Sequence, residues 1–176
     1  MKEALKKILR TLMRPLHHRY TKRNGVTSQA QRREMPNAIL LGLARDVIRD
    51  GHTAIINVKG YSMRPFLEHC RDKVKLAPPH ELKVGDAILA EISPDHYVLH
   101  RIIRLEGDNI TLMGDGNIRG QEHCTRKDVA GIVIEYIRPN RVIPASDPKL
   151  IRHIRLWRRL LPIRRWLLVL YNAIVG

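Results

Sequence analysis

The sequence predicts a mainly β fold, a coiled antiparallel sheet or partial barrel with helical segments before and after it. Three observations carry this. Between positions 54 and 137, short runs rich in Val, Ile and Leu alternate with Gly, Pro, Asn and Asp, the pattern of strands and turns. Glu106-Gly107-Asp108-Asn109 reads as a hairpin turn joining two of those runs. Neither a glycine-rich phosphate loop nor a βαβ alternation occurs, which argues against a nucleotide-binding α/β enzyme.

In chain order, Leu5, Ile8, Leu9 and Leu12 fall at helical spacing, so Lys2 to Arg14 is expected to form a basic amphipathic helix ended by Pro15. Tyr20 to Glu34 is polar, with Asn24-Gly25 as a turn signal, and reads as a linker. Pro36 opens a helix expected over 36–50 and closed by Gly51, with Ile39, Leu40, Leu43, Val47 and Ile48 as the stripe that packs on the domain. Six strands follow: Ala54–Lys59, Lys73–Ala77, Ala87–Ile92, Tyr97–Leu105, Asn109–Met113 and Val129–Ile137. Past Pro144 and Pro148 the helical period returns. Leu150, Ile154, Trp157 and Leu161 share one face, and Arg152, Arg155 and Arg159 another. Pro162 splits this segment, and Trp166 to Val175 is almost wholly apolar, about half the length of a spanning helix. Such a segment suits a membrane interface, the side of the domain, or a partner.

Charge divides the chain in the same way. Residues 1–34 hold ten basic and two acidic side chains, residues 35–148 are balanced, and residues 149–176 hold seven basic and no acidic ones. The expected organisation is therefore a basic N-terminal helix and linker (1–34), a globular domain (35–148) and a basic amphipathic C-terminal segment (149–176). Cationic ends of this kind read an anionic surface, here expected to be lipid ahead of nucleic acid. The rival reading of the C-terminal segment has its apolar side, Trp157 and Trp166 included, completing the domain core. No secretory leader is expected, because the apolar residues of Met1 to Tyr20 never run long enough, and a cytoplasmic chain peripheral to the inner membrane face is the expectation. Cys70 and Cys124 each follow a histidine, but the spacing matches no common zinc finger; two reduced thiols and no metal or other cofactor are expected.

Chemistry concentrates in three places. Ser62 lies in Lys59-Gly60-Tyr61-Ser62-Met63-Arg64-Pro65, directly after a predicted strand. Gly60 permits a sharp corner that presents a hydroxyl, and backbone amides around Gly60 and Met63 are the expected oxyanion donors. The bland account is a turn with a capping serine. Serine needs a base, and His100, a polar residue inside the apolar strand Tyr97–Leu105, reads either as that base or as a satisfied core histidine. Alternation puts Val98, His100 and Ile102 on one face and Leu99, Arg101 and Ile103 on the other. A carboxylate is then expected to orient the imidazole, and Asp115, just past a strand, is the candidate; between two glycines it reads equally as a turn aspartate.

At these places the chain resembles the signal peptidase I superfamily of serine peptidases. The resemblance rests on Gly60-Tyr61-Ser62-Met63-Arg64-Pro65, Gly85-Asp86-Ala87-Ile88, His100-Arg101-Ile102, Gly114-Asp115-Gly116-Asn117 and Lys127-Asp128-Val129-Ala130-Gly131, in the family's order. It is nearer to the archaeal and endoplasmic-reticulum branch than to the bacterial branch, because His100 stands where the bacterial enzymes and the related self-cleaving repressors carry a lysine. The resemblance implies Ser62 as nucleophile, His100 as base and Asp115 as third member, with Asp128 as the other acidic position able to take that role. It also implies the mostly β, coiled-sheet peptidase fold and a leader or precursor peptide as substrate. The family's spanning anchor has no counterpart in the sequence.

Two other functions compete. A self-cleaving repressor needs a helix-turn-helix before the peptidase domain, and the residues ahead of Pro36 are too few and too polar for one. A non-enzymatic adaptor would display the basic ends and leave Ser62, His100 and Asp115 as coincidence.

Overall fold

The structure, a computed structural model, describes residues 37–175. The expected basic helix and linker of residues 1–34 lie outside it. The fold is mainly β, an antiparallel sheet flanked by helices on its N- and C-terminal sides. Helix α1 (Asn37–Arg49) precedes strands β1 (Ala54–Asn57), β2 (Lys73–Ala77), β3 (Ala87–Ser93), β4 (His96–Glu106), β5 (Asn109–Met113), β6 (Glu122–Thr125), β7 (Val129–Arg138) and β8 (Arg141–Pro144). Helices α2 (Pro148–Arg159) and α3 (Arg164–Val175) follow.

The sheet runs β1-β2-β7-β3-β4-β5-β6 and does not close. Long β7 organises it: β3 pairs with its first half, β8 with its second, and β2 bridges the two from the opposite edge. Tight hairpins join β3 to β4 and β4 to β5; the second turns at Gly107-Asp108, as the sequence predicts. Two strands were not expected. β6 and β8 are four residues each, and neither carries the apolar run that marks a strand in sequence.

The sheet has two cores. On one face Val74, Leu76, Leu89, Val133 and Tyr136 pack against Leu150, Ile154 and Trp157 of α2 and Leu167, Leu168 and Tyr171 of α3. On the other, a smaller cluster gathers Ile88, Ile102, Ile110, Leu112, Cys124 and Ile132. Alternation in β3 and β4 divides neighbouring residues between the faces, Leu89 and Leu99 to the first, Ile88 and Ile102 to the second.

Helix α1 ends as foreseen, with Gly51 at φ 89° and its N–H on the carbonyl of Ile48. Of the expected packing stripe, only Ile48 faces the sheet. Leu41, Ala44 and Ile48 are buried, whereas Ile39, Leu40, Leu43 and Val47 are exposed. The first turns of α1 are apolar all round, so no polar side tells which stripe faces inward. Helix α2 is capped by Asp147, whose Oδ1 accepts the amides of Lys149 and Leu150, and Pro148 occupies its first turn. No helix among the described residues is long and apolar enough to cross a membrane.

Candidate active site

The corner after β1 carries Ser62. β1 stops at Asn57, two residues short of the expected end, and Val58 continues as a ladder with the returning chain: its N–H donates to Asp72 and its carbonyl accepts from Cys70. Gly60 adopts φ 89°, a left-handed conformation that a side chain disfavours, and there the chain turns. Its amide donates to Nδ1 of His69 at 2.8 Å, so Gly60 serves the turn and its N–H is spent. Among the described residues, no acceptor meets the amides of Ser62 and Met63. Met63 is the anchor of the corner, its side chain buried in the first core.

The corner is buttressed from two sides. Ser62's carbonyl accepts the amide of Gly116 at 2.7 Å. A β-carbon on Gly114 would lie 2.5 Å from the Ser62 carbonyl oxygen, and one on Gly116 would lie 2.6 Å from that of Tyr61. The two glycines flanking Asp115 therefore let one backbone lie directly on another. From the other side, the Glu68 carboxylate accepts Arg64 through Oε2 and the Tyr171 hydroxyl of α3 through Oε1 at 2.6 Å, while Arg64 also donates to Asn172. Burial, and then the Glu68 partner, hold the Tyr171 phenol above its usual range.

His100 is buried in β4, 6% exposed, and its Nδ1 lies 2.8 Å from Oε2 of Glu122 in β6. The pairing follows from register. Ile102 faces Leu112 across β4 and β5, and Leu112 faces Glu122 across β5 and β6, so Glu122 sits diagonally from His100 on the same face. A carboxylate on Nδ1 draws the imidazole proton to that nitrogen and leaves Nε2 as the acceptor. Ser62 and His100 line a common cavity of about 150 Å³, with Leu41, Ile56, Val58 and Leu99 among its apolar walls. No hydrogen bond joins Ser62 to His100; the two meet through the shared cavity.

The expected partner of His100, Asp115, is elsewhere. Its carboxylate takes a bidentate ion pair from Arg101, with Nε 2.8 Å from Oδ1, and both side chains are buried. The reason is alternation: Arg101 follows His100 and points to the opposite face, where Asp115 also lies. Burial works against the Arg101 charge, but the Asp115 charge and hydrogen bonds outweigh it and hold the guanidinium above its ordinary range. Arg101 also donates to the Gly85 carbonyl, and Trp157 Nε1 donates to the Asp115 carbonyl at 2.8 Å. Asp115 thus ties the Ser62 support to the α2 side of the core. Asp128 is also committed, its Oδ2 accepting the amide and hydroxyl of Thr125 in the turn before β7. Neither aspartate meets His100.

Glu122 is the residue that sequence reasoning missed. Its only signal is the spacing to Cys124, the buried member two residues on in a short alternating segment. Both cysteines are free thiols; Cys70 is exposed, and burial, then Asp128, pushes the Cys124 thiol up to about 11. No family model matches this sequence, and no curated protein matches it.

Proposed function

We propose that this protein is a signal-peptidase-like serine endopeptidase that cleaves a leader or precursor peptide, with Ser62 as nucleophile, His100 as general base and Glu122 as the carboxylate that orients the base. The observation that carries the reading is the Glu122–His100 contact at 2.8 Å on the histidine that shares a cavity with Ser62. A core histidine needs only some hydrogen-bond partner. A carboxylate on Nδ1 does more, because it fixes the tautomer with a basic Nε2 and stabilises the imidazolium formed on proton uptake.

In this mechanism the Ser62 hydroxyl attacks the scissile carbonyl carbon while His100 takes its proton. The amides of Ser62 and Met63 stabilise the oxyanion. Collapse breaks the C–N bond, His100 protonates the leaving amine, and water then hydrolyses the Ser62 acyl ester with His100 again as base. Arg101 stands beside His100 in the chain, and its pairing with Asp115 keeps a buried cation from opposing the imidazolium.

A fluorophosphonate probe tests the assignment. It should label the wild-type chain at Ser62, label Ser62→Ala not at all, and label His100→Ala far more slowly. On a cleavable peptide the double variant should be no worse than either single one, because members of one catalytic unit are non-additive. Peptide cleavage at the wild-type rate in Ser62→Ala would overturn the reading.

A further inference from the structure

We propose that the outward face of α3 docks the protein on an anionic lipid bilayer. Helix α3 is apolar on both sides. Its inner side, Leu167, Leu168 and Tyr171, fills the domain core. Its outer side presents Trp166, 72% exposed, with Val169 and Leu170, and the turn entering the helix adds exposed Leu161 and Ile163. A surface helix normally turns polar residues to water, so this outer side is built to be covered by something apolar.

Charge selects the cover. Residues 149–176 contain no acidic side chain, and Lys149, Arg152, Arg155, Arg159 and Arg165 are exposed along α2 and the start of α3. Arg165 stands beside the Trp166 ring, its Cζ 6.0 Å from the ring centroid. Aromatic and aliphatic side chains next to unopposed arginines match the boundary between acyl chains and anionic headgroups. The exposed apolar stripe of α1 differs: Arg45, Asp46, Arg49 and Asp50 balance the charge beside it, and nothing there selects lipid. Because the inner side of α3 is committed to the domain core, the helix meets a bilayer along its length and lies in the interface plane. Trp157, by contrast, is 2% exposed in the core, so the two tryptophans have separate tasks.

This inference stands apart from the peptidase reading, and its test measures binding alone. The full chain is titrated with vesicles of phosphatidylglycerol and phosphatidylcholine, with acyl-brominated lipid as a quencher. Trp166 emission should shift to the blue and be quenched, and Trp166→Phe should lose that signal while still sedimenting with vesicles. The triple variant Trp166→Ser, Val169→Asn, Leu170→Asn should melt as wild type and bind roughly tenfold or more weakly. Salt raised from about 0.1 M to about 0.5 M should release much of the wild-type protein. Wild-type binding by the triple variant, absence of quenching, or equal binding to pure phosphatidylcholine would overturn the proposal. So would a self-associated chain that ignores vesicles and is dispersed by the triple variant, since the face would then be a protein interface.

Discussion

The imidazole of His100 is held by Glu122, 22 residues further along the chain, through a 2.8 Å contact that crosses the intervening strand β5. Its neighbour Arg101 is held by Asp115 on the opposite face. Two adjacent residues of one strand thus take two carboxylates, and the proposed mechanism assigns different work to each.

Glu122→Gln should therefore lower kcat by on the order of 10²-fold or more, with little effect on KM or on melting. Asp115→Asn should act chiefly through stability. Steady-state kinetics beside thermal melts separate the two. A large kcat loss in folded Asp115→Asn, with Glu122→Gln unaffected, would return the orienting role to Asp115.

Breaking the buried pair from one side should be costly. Asp115→Ala leaves the Arg101 guanidinium buried without its partner, and a loss of about 3–5 kcal/mol is expected by denaturant unfolding. Arg101→Met combined with Asp115→Leu should recover much of that loss, because replacing both partners leaves no unpaired charge. Equal losses in the single and double variants would show that shape, not charge, dominates there.

Gly114→Ala and Gly116→Ala should damage activity more than stability. Each would place a methyl group within 2.6 Å of a backbone oxygen at the Ser62 corner, so the corner must move. Overpacking of this kind costs about 1–3 kcal/mol. A displacement of about 1 Å at the nucleophile costs on the order of 10²-fold in rate. Phosphonate labelling beside thermal melts separates the two effects: labelling should slow about 10²-fold in a chain that stays folded, and labelling at the wild-type rate would show that the corner has not moved.

The cap of α2 sets a pH dependence of stability. Hydrogen bonds donated by the backbone amides of Leu150 and Lys149 hold the Asp147 carboxyl below the usual carboxylate range. A carboxyl depressed in the folded state stabilises it above the ordinary carboxylate range, and that contribution disappears as pH falls through the lowered value. The fall in melting temperature between neutral pH and about pH 3 should be smaller in Asp147→Asn than in wild type. An identical acid profile would show that the cap is not coupled to folding.

Much of the fold is legible because local chemistry marks it. Gly51 closes α1, Gly107-Asp108 turns β4 into β5, and Pro148 follows the cap of α2, each a conformational requirement met by residue type. Strand β6 is illegible for the opposite reason: Glu-His-Cys-Thr is short and polar, and only its pairing with β5 makes it a strand. With β6 unseen, Glu122 is unseen. Asp115 is an obvious carboxylate for His100 because it follows a strand, yet the alternation of His100 and Arg101 sends one of them to each face, and Asp115 meets Arg101. For α1, a run of apolar residues around the whole helix conceals which side the sheet takes. For the C-terminal segment, both helices put an apolar side into the core, α2 with Trp157 and α3 with Leu167, Leu168 and Tyr171, whereas Trp166, expected there by the rival reading, stays exposed.

The support of the Ser62 corner by Tyr171 and Asn172 has a consequence for synthesis of the chain. Tyr171 meets Glu68 across 103 positions, and Arg64 meets Asn172 across 108. A nascent chain still attached to the ribosome exposes Ser62, His100 and Glu122 well before the residues that brace the corner have emerged. Hydrolytic competence should therefore wait until α3 has emerged and docked, and a ribosome-stalled chain ending before residue 164 should carry all three side chains yet react poorly with the phosphonate.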